Sequence, residues 1–298
     1  MAKSQYLDFD VIARISNMQL LAKVVVEGFN LGLHRSPYRG FSVEFAEYRQ
    51  YTSGDEIKHI DWKVYGKTDR YYIKQFEEET NLTCHILLDA SGSMAYRSKE
   101  DGLSKLDYGS CLAACLAYFI MRQRDATGLT IFDTAVRLML PPRLRQSHLH
   151  RMLKELESLK PGGETDVAGP MHDLAESLKR TGLVILISDL LDDPQKVLSA
   201  LQHFRFKGHD IIVFQIMDDA ELRFPFDSMT EFTDLESGEK LLVAPEGIKP
   251  VYMAELRRFL AAYEKGCADL KADYKLFDTR TPLELGLSEY LHRRSRMS

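Results

Sequence analysis

Three almost wholly apolar runs, "CHILLD" (84–89), "GLVILIS" (182–188) and "HDIIVFQI" (209–216), constrain the fold more than any other feature of the chain. Each has the length of a strand and is bounded by turn residues. A strand that is apolar on both faces has to be covered on both, which calls for helices on each side of a sheet. Helix-period patterns lie between the runs. Over 104–122, Tyr108, Cys111, Leu112, Cys115, Leu116, Phe119 and Ile120 recur at i, i+3, i+4, and Ser104 with Asp107 forms a capping box. Further helices are expected near 146–160, through Met171, Leu174 and Leu178, from Pro194 (N-capped by Asp193) to Phe204, and near 250–266. "TGLTIFD" (127–133) and "AVRLML" (135–140) form a strand pair around a tight turn, and "DYKLFD" (273–278) is a last strand. Such alternation predicts an α/β fold, a doubly wound and mainly parallel Rossmann-like sheet. A hairpin around "DLESGEK", near 229–244, is inserted into it.

The first 80 residues read differently. A helical stretch over 8–27 precedes aromatic, short-period, turn-rich text from 38 to 80, which predicts a small β-rich module. The expected division is therefore 1–80 for this helical and β-rich module and 81–298 for the main α/β domain. Trp62, the single tryptophan, is expected to be a core anchor of the module.

Composition excludes several function classes. A formal charge of −5 with no long basic stripe argues against a nucleic-acid partner. The tail "HRRSRMS" (292–298) reads as a frayed, solvated end. No apolar run approaches the roughly 20 residues of a bilayer span, and the N-terminus lacks the apolar core of a signal peptide. The four cysteines include no C-x-x-C pair and fall on predicted core positions, so they read as buried thiols of a cytoplasmic protein, at most peripheral to a membrane complex.

The chemistry concentrates in "LLDASGSM" (87–94), where a core strand ends in Asp89 and is followed by Ser91, Gly92 and Ser93. Ligands of doubly wound sheets bind outside the carboxyl ends of the strands, and Asp189 ends a second core strand there. Three readings compete. A serine nucleophile lacks the G-x-S-x-G elbow. A phosphoryl-transferring aspartate of the haloacid-dehalogenase type, making the protein a metal-dependent phosphatase, needs a second acid where Ser91 stands. Asp192–Asp193 and Asp218–Asp219 could supply acids, although helix capping and turn formation explain them as well. The third reading is a metal site. Asp89-x-Ser91-x-Ser93 resembles the metal-ion-dependent adhesion site (MIDAS) of von Willebrand factor type A domains, which also takes a Thr from a later loop and an Asp from a later strand end. Thr165 in "GGETD" and Asp189 in "LISD" occupy those places. The resemblance implies Mg²⁺, or Mn²⁺ or Ca²⁺, held by Ser91, Ser93 and Thr165, with Asp89 and Asp189 ligating directly or through water. Hydroxyls and few carboxylates leave such an ion under-neutralised and attractive to an acidic side chain of a protein partner.

Two other motifs carry nothing. Gly66-Lys67-Thr68 has Asp61 where a phosphate-binding loop needs glycine. His148 and His150 stand two apart on a predicted helix and point in different directions.

The block "EFAEYRQYTSGDEIKHIDW" (44–62), leading into "LLDASGSM", resembles the signature of the domain-of-unknown-function 58 family. The matching residues are Glu44, Phe45, Arg49, Tyr51, Gly54, Asp55, Ile60, Asp61 and Trp62. Tyr65-Gly66-Lys67 departs from an Ala-Arg pair common in that family, and Lys67 keeps the charge without the bidentate fork. The resemblance implies a type A domain and a non-enzymatic, cation-dependent protein-binding module that serves as adaptor or co-chaperone of a MoxR-type AAA+ ATPase. Arg49, Asp55, Asp61 and Lys67 read either as a functional surface or as an ion-pair network of the module.

Overall fold

The computed structural model describes residues 18–28, 42–50, 62–68, 70–79, 82–163, 166–235 and 238–297. In chain order its elements are α1 (Met18–Gly28), β1 (Ser42–Gln50), α2 (Trp62–Thr68), β2 (Tyr72–Glu79), β3 (Thr83–Asp89), a 3₁₀ turn (Ser93–Ala95), α3 (Lys105–Arg122), β4 (Ala126–Phe132) and β5 (Val136–Arg143). There follow α4 (Gln146–Glu157), α5 (Ala168–Ser177), β6 (Leu183–Ser188), α6 (Pro194–Phe206), β7 (Asp210–Met217), α7 (Asp219–Arg223), β8 (Thr230–Thr233), β9 (Lys240–Val243), α8 (Pro245–Asp269), β10 (Asp273–Asp278) and α9 (Leu283–Met297).

Six strands form the main sheet in the order β10-β7-β6-β3-β4-β5, and only β5 runs antiparallel, against β4. This is the mainly parallel, doubly wound sheet that the apolar runs require. From β3 the chain winds outward through β4 and β5, then returns to β6 on the other side of β3. The topological switch therefore lies between β3 and β6, whose registers pair Ile86 with Ile185 and Leu88 with Ile187.

The period-2 geometry of strands divides the core cleanly. Ile86, Leu88, Ile185, Ile187, Ile212, Phe214 and Ile216 pack on one face with side chains of α1, α3, α4 and α9. Leu87, Val184, Leu186, Ile211 and Val213 pack on the other with α5, α6 and α8. Helix α3 starts at the predicted capping box: Ser104 Oγ accepts the Asp107 N–H at 3.0 Å and Asp107 accepts the Ser104 N–H at 3.1 Å. A Cβ on Gly109 would sit 3.2 Å from methyls of both Leu88 and Ile216 and 3.3 Å from Ile187, so glycine lets α3 lie low across the switch point. All four cysteines are buried free thiols.

Two expectations are corrected. Trp62 is not a core anchor: it opens α2 with 58% of its surface exposed, edge-on to Tyr65, which stacks on Tyr71 at 4.5 Å. In the stretch expected to be β-rich, β1 and β2 pair antiparallel, with the seven-residue α2 between them in sequence. The C-terminal tail is not a frayed end, since α9 runs to Met297. Leu283, Leu287 and Tyr290, spaced i, i+4, i+7, bury against the sheet, with Tyr290 edge-on to Phe214. Two inserted strands, β8 and β9, pair antiparallel. The Gly66-Lys67-Thr68 triplet lies within α2. On α4, His148 is buried with Nε2 3.0 Å from the Thr127 carbonyl while His150 faces outward.

Candidate metal site

The parallel pairing of β3 with β6 brings the two predicted aspartates together at the carboxyl end of the sheet, at the switch point where such folds bind ligands. Asp89 and Asp189 are both fully buried. The Asp89 carboxylate accepts the Ser91 N–H at 2.8 Å on one oxygen and the Ser188 hydroxyl at 2.6 Å on the other. Ser91 and Ser93 bring their hydroxyl oxygens within 3.1 Å of each other. Ser91 is buried and Ser93 only half-buried, so the pair leads from the carboxylates toward solvent.

A second loop is fastened to this one through the main chain. Gly162 N–H donates to Ala90 O, and Gly92 N–H to Gly163 O, each at 2.6 Å. A Cβ on Gly162 would displace the Asp133 carboxylate and sit a tight 3.1 Å from the Ala90 carbonyl, so glycine eases this approach. Thr165, two residues further on, lies outside the described residues. So do Asp55 and Asp61, while Arg49 is placed in β1 opposite Ile73 and Lys67 in α2.

Sequence reasoning missed a cation. Lys105, the first residue of α3, is wholly buried, and its Nζ lies 2.7 Å from Asp189 Oδ2 and 2.7 Å from Glu221 Oε1 on α7. It stands four residues before Gly109 and so shares the helix face that lies on the sheet. The signal was available: Lys105, Tyr108, Leu112 and Leu116 follow the apolar period of α3, and a lysine in such a stripe needs a carboxylate partner. The other Asp189 oxygen accepts the Leu191 N–H at 3.2 Å, and the backbone carbonyl of Asp189 accepts from Gln215 at 2.9 Å.

The electrostatics are those of an anionic pocket. Burial, then the charge of Asp189, raises the Asp89 pKa above the ordinary carboxylate range, against the hydrogen bonds from Ser188 and Ser91. Burial also raises Glu221, against the opposing pull of Lys105. For Lys105, burial alone would lower the pKa, but the charges of Asp189 and Glu221 outweigh it and hold the ammonium above the usual lysine value. Two carboxylates, of the buried Asp189 and the half-buried Glu221, thus face one ammonium, with the buried Asp89 close enough to Asp189 to feel its charge. The donor set is hard and all-oxygen, which fits Mg²⁺ or Mn²⁺ and not a soft metal. Among the described residues, no group of three or more His, Cys, Asp or Glu is placed so that it could hold a metal ion.

The acids of the phosphatase reading are engaged in helix caps, a main-chain contact and ion pairs. Asp193 caps α6 by accepting the Gln195 N–H at 2.9 Å, and Asp192 Oδ2 accepts the Val167 N–H at 3.1 Å. Asp218 caps α7 through the Ala220 N–H at 2.8 Å, and Asp219 pairs with Arg223 and Arg280.

Uncharacterized proteins of Mycobacterium bovis and Mycobacterium tuberculosis are each 24% identical over 264 residues, 88% of this chain and 81% of theirs. Among solved structures, the conserved hypothetical protein BatB from Bacteroides thetaiotaomicron is similar at 17% identity, with a TM-score of 0.49 over 72% of this chain and 99% of that one. The SpRpn10 VWA domain is similar at 10% identity, with a TM-score of 0.43 over 70% of this chain and 95% of that one. Among the described residues, no helix is long and apolar enough to cross a membrane. The model of the family described as "Protein of unknown function DUF58" matches residues 47–259, and this chain belongs to that family.

Proposed function

We propose that this protein is a divalent-cation-dependent protein-binding module whose recognition element is the carboxyl end of the main sheet. One observation carries the reading. Asp89 and Asp189 end strands that flank the topological switch, with the Ser91–Ser93 hydroxyl pair directly beside them. In this reading Ser91, Ser93 and Thr165 hold Mg²⁺ or Mn²⁺, and Asp89 and Asp189 ligate it directly or through water. A bound cation supplies Lewis acidity and positive charge toward an acidic side chain of a partner. The chain's own part is to preposition hydroxyls, to exclude water around Asp89, and to keep net negative charge low enough that an anionic partner is attracted. The family resemblance points to a MoxR-type AAA+ ATPase as that partner, with this protein as adaptor or co-chaperone.

Calorimetry with Mn²⁺ on the wild type, Asp89→Ala and Thr165→Ala tests the site. The wild type should bind weakly and both variants should lose binding; equal titrations for all three refute the assignment. Interferometry against the ATPase, with Mg²⁺ and with EDTA after nucleotide removal, tests the partner. Association undiminished in EDTA would end the metal-bridge reading.

A further inference from the structure

The buried lysine beside the site has a second partner that lies outside the expected metal set. Lys105 Nζ touches Asp189 Oδ2 and Glu221 Oε1 at the same distance, 2.7 Å, with its own side chain fully buried. Glu221 is fixed in turn: its Oε2 accepts the Asp218 N–H at 2.8 Å in the capping box of α7, and its backbone carbonyl accepts the Tyr252 hydroxyl of α8 at 2.8 Å. Asp218 also receives the Ser98 N–H at 3.3 Å, from the loop that leaves the Ser91–Ser93 turn. One ammonium therefore joins the end of β6, the start of α3 and the start of α7, and sits on a carboxylate that the metal reading uses.

We propose that Lys105 is a resident counter-cation and positioning residue that sets the affinity of the site for a divalent ion and links its occupancy to Glu221. The proposal rests on the cation-binding reading above. With Oδ2 held by Lys105 and Oδ1 by the Leu191 N–H, Asp189 keeps one orientation without any metal. A fixed positive charge in the same water-poor pocket opposes a second one strongly, because charges there are poorly screened. The consequence is a site that stays folded when empty and binds a divalent ion weakly. That weakness leaves more of the ion's attraction for a partner's carboxylate. Glu221 offsets part of the lysine charge, so the two residues must act on the ion with opposite sign. A merely structural ion pair has no such signature, since breaking it from either side damages the same contact.

The test is Mn²⁺ affinity of the full chain by calorimetry, with thermal unfolding in EDTA and in Mn²⁺ alongside. Lys105→Met should bind Mn²⁺ tighter by about tenfold or more and should gain more melting temperature from Mn²⁺ than the wild type does. Glu221→Gln should bind several-fold more weakly. The double variant Lys105→Met/Glu221→Gln, which removes one charge of each sign, should return near the wild-type affinity. Should Lys105→Met fail to fold because Asp189 and Glu221 are left unpaired, Glu221→Gln and the double variant still decide. Weakening by Glu221→Gln that the double variant reverses supports the proposal. Single variants that both weaken binding, or a Glu221→Gln that leaves it unchanged while the wild type binds, overturn it. A wild type that binds no Mn²⁺ instead removes the cation-binding reading, and this proposal with it.

Discussion

Ser188 donates its hydroxyl to Asp89 across the boundary between β6 and β3, at 2.6 Å and wholly out of contact with water. The same oxygen accepts the Leu190 N–H at 2.9 Å, so one small side chain fixes a carboxylate and turns the chain out of the sheet. Ser188→Ala leaves both groups without this partner. The expected cost is about 1–3 kcal/mol, the range for stranding a buried polar group, and urea unfolding in EDTA measures it. An unchanged midpoint would mean that Asp89 finds another donor.

Acid should weaken the protein through His85. Burial, then the nearby His209, lowers its pKa from the ordinary 6.5 to about 4, and its Nε2 has no hydrogen-bond partner among the described residues. The unfolded chain therefore binds a proton that the folded chain refuses, and stability rises with pH in this window. The contribution is fully present above 6.5 and is lost as pH falls toward 4. Asp89, with its pKa raised, works in the opposite direction when no metal is bound. The comparison to make is thus wild type against His85→Gln, by urea unfolding at several pH values between 7.5 and 4.5. A smaller loss on acidification is expected for the variant, and parallel curves would refute it.

Trp62→Ala should cost less than about 1 kcal/mol, because a side chain 58% exposed empties no cavity. A loss of about 3–5 kcal/mol, the figure for a core aromatic, would place Trp62 in the core after all. Thermal unfolding separates the two outcomes.

Leu287→Ala should cost about 2–5 kcal/mol. Leu287 is fully buried on α9 within the cluster that holds Phe214 and Phe277. A variant with wild-type stability in chemical denaturation would show that the last helix is dispensable to the core.

The sheet was legible because its evidence is local and redundant. Runs such as Leu183–Ile187 have no polar position that a different fold could use, and capping residues such as Ser104 and Asp193 mark helix starts by chemistry alone. That Asp89 and Asp189 lie near each other is legible because strand ends in such a sheet converge, whereas Ser91 and Ser93 join them only through the D-x-S-x-S resemblance. For Lys105 the helix period shows burial but not the partners, which lie 84 and 116 residues away and meet on one ammonium only in the folded chain. Helix α9 was obscured by its basic end, although Leu283, Leu287 and Tyr290 carry a clear period. Trp62 was misjudged from residue type: aromatic bulk argues for burial on average, and the position alone decides the instance.

The two main-chain bonds between residues 90–92 and 162–163 have an evolutionary corollary. Bonds between backbone groups are indifferent to which side chains flank them, so the second loop is moored without spending any residue identity beyond its glycines. Substitutions just downstream of Gly163 can therefore be sampled one at a time while the anchorage stays put. Across descendants of this chain, the surface beside that anchorage is free to change with the scaffold unaltered.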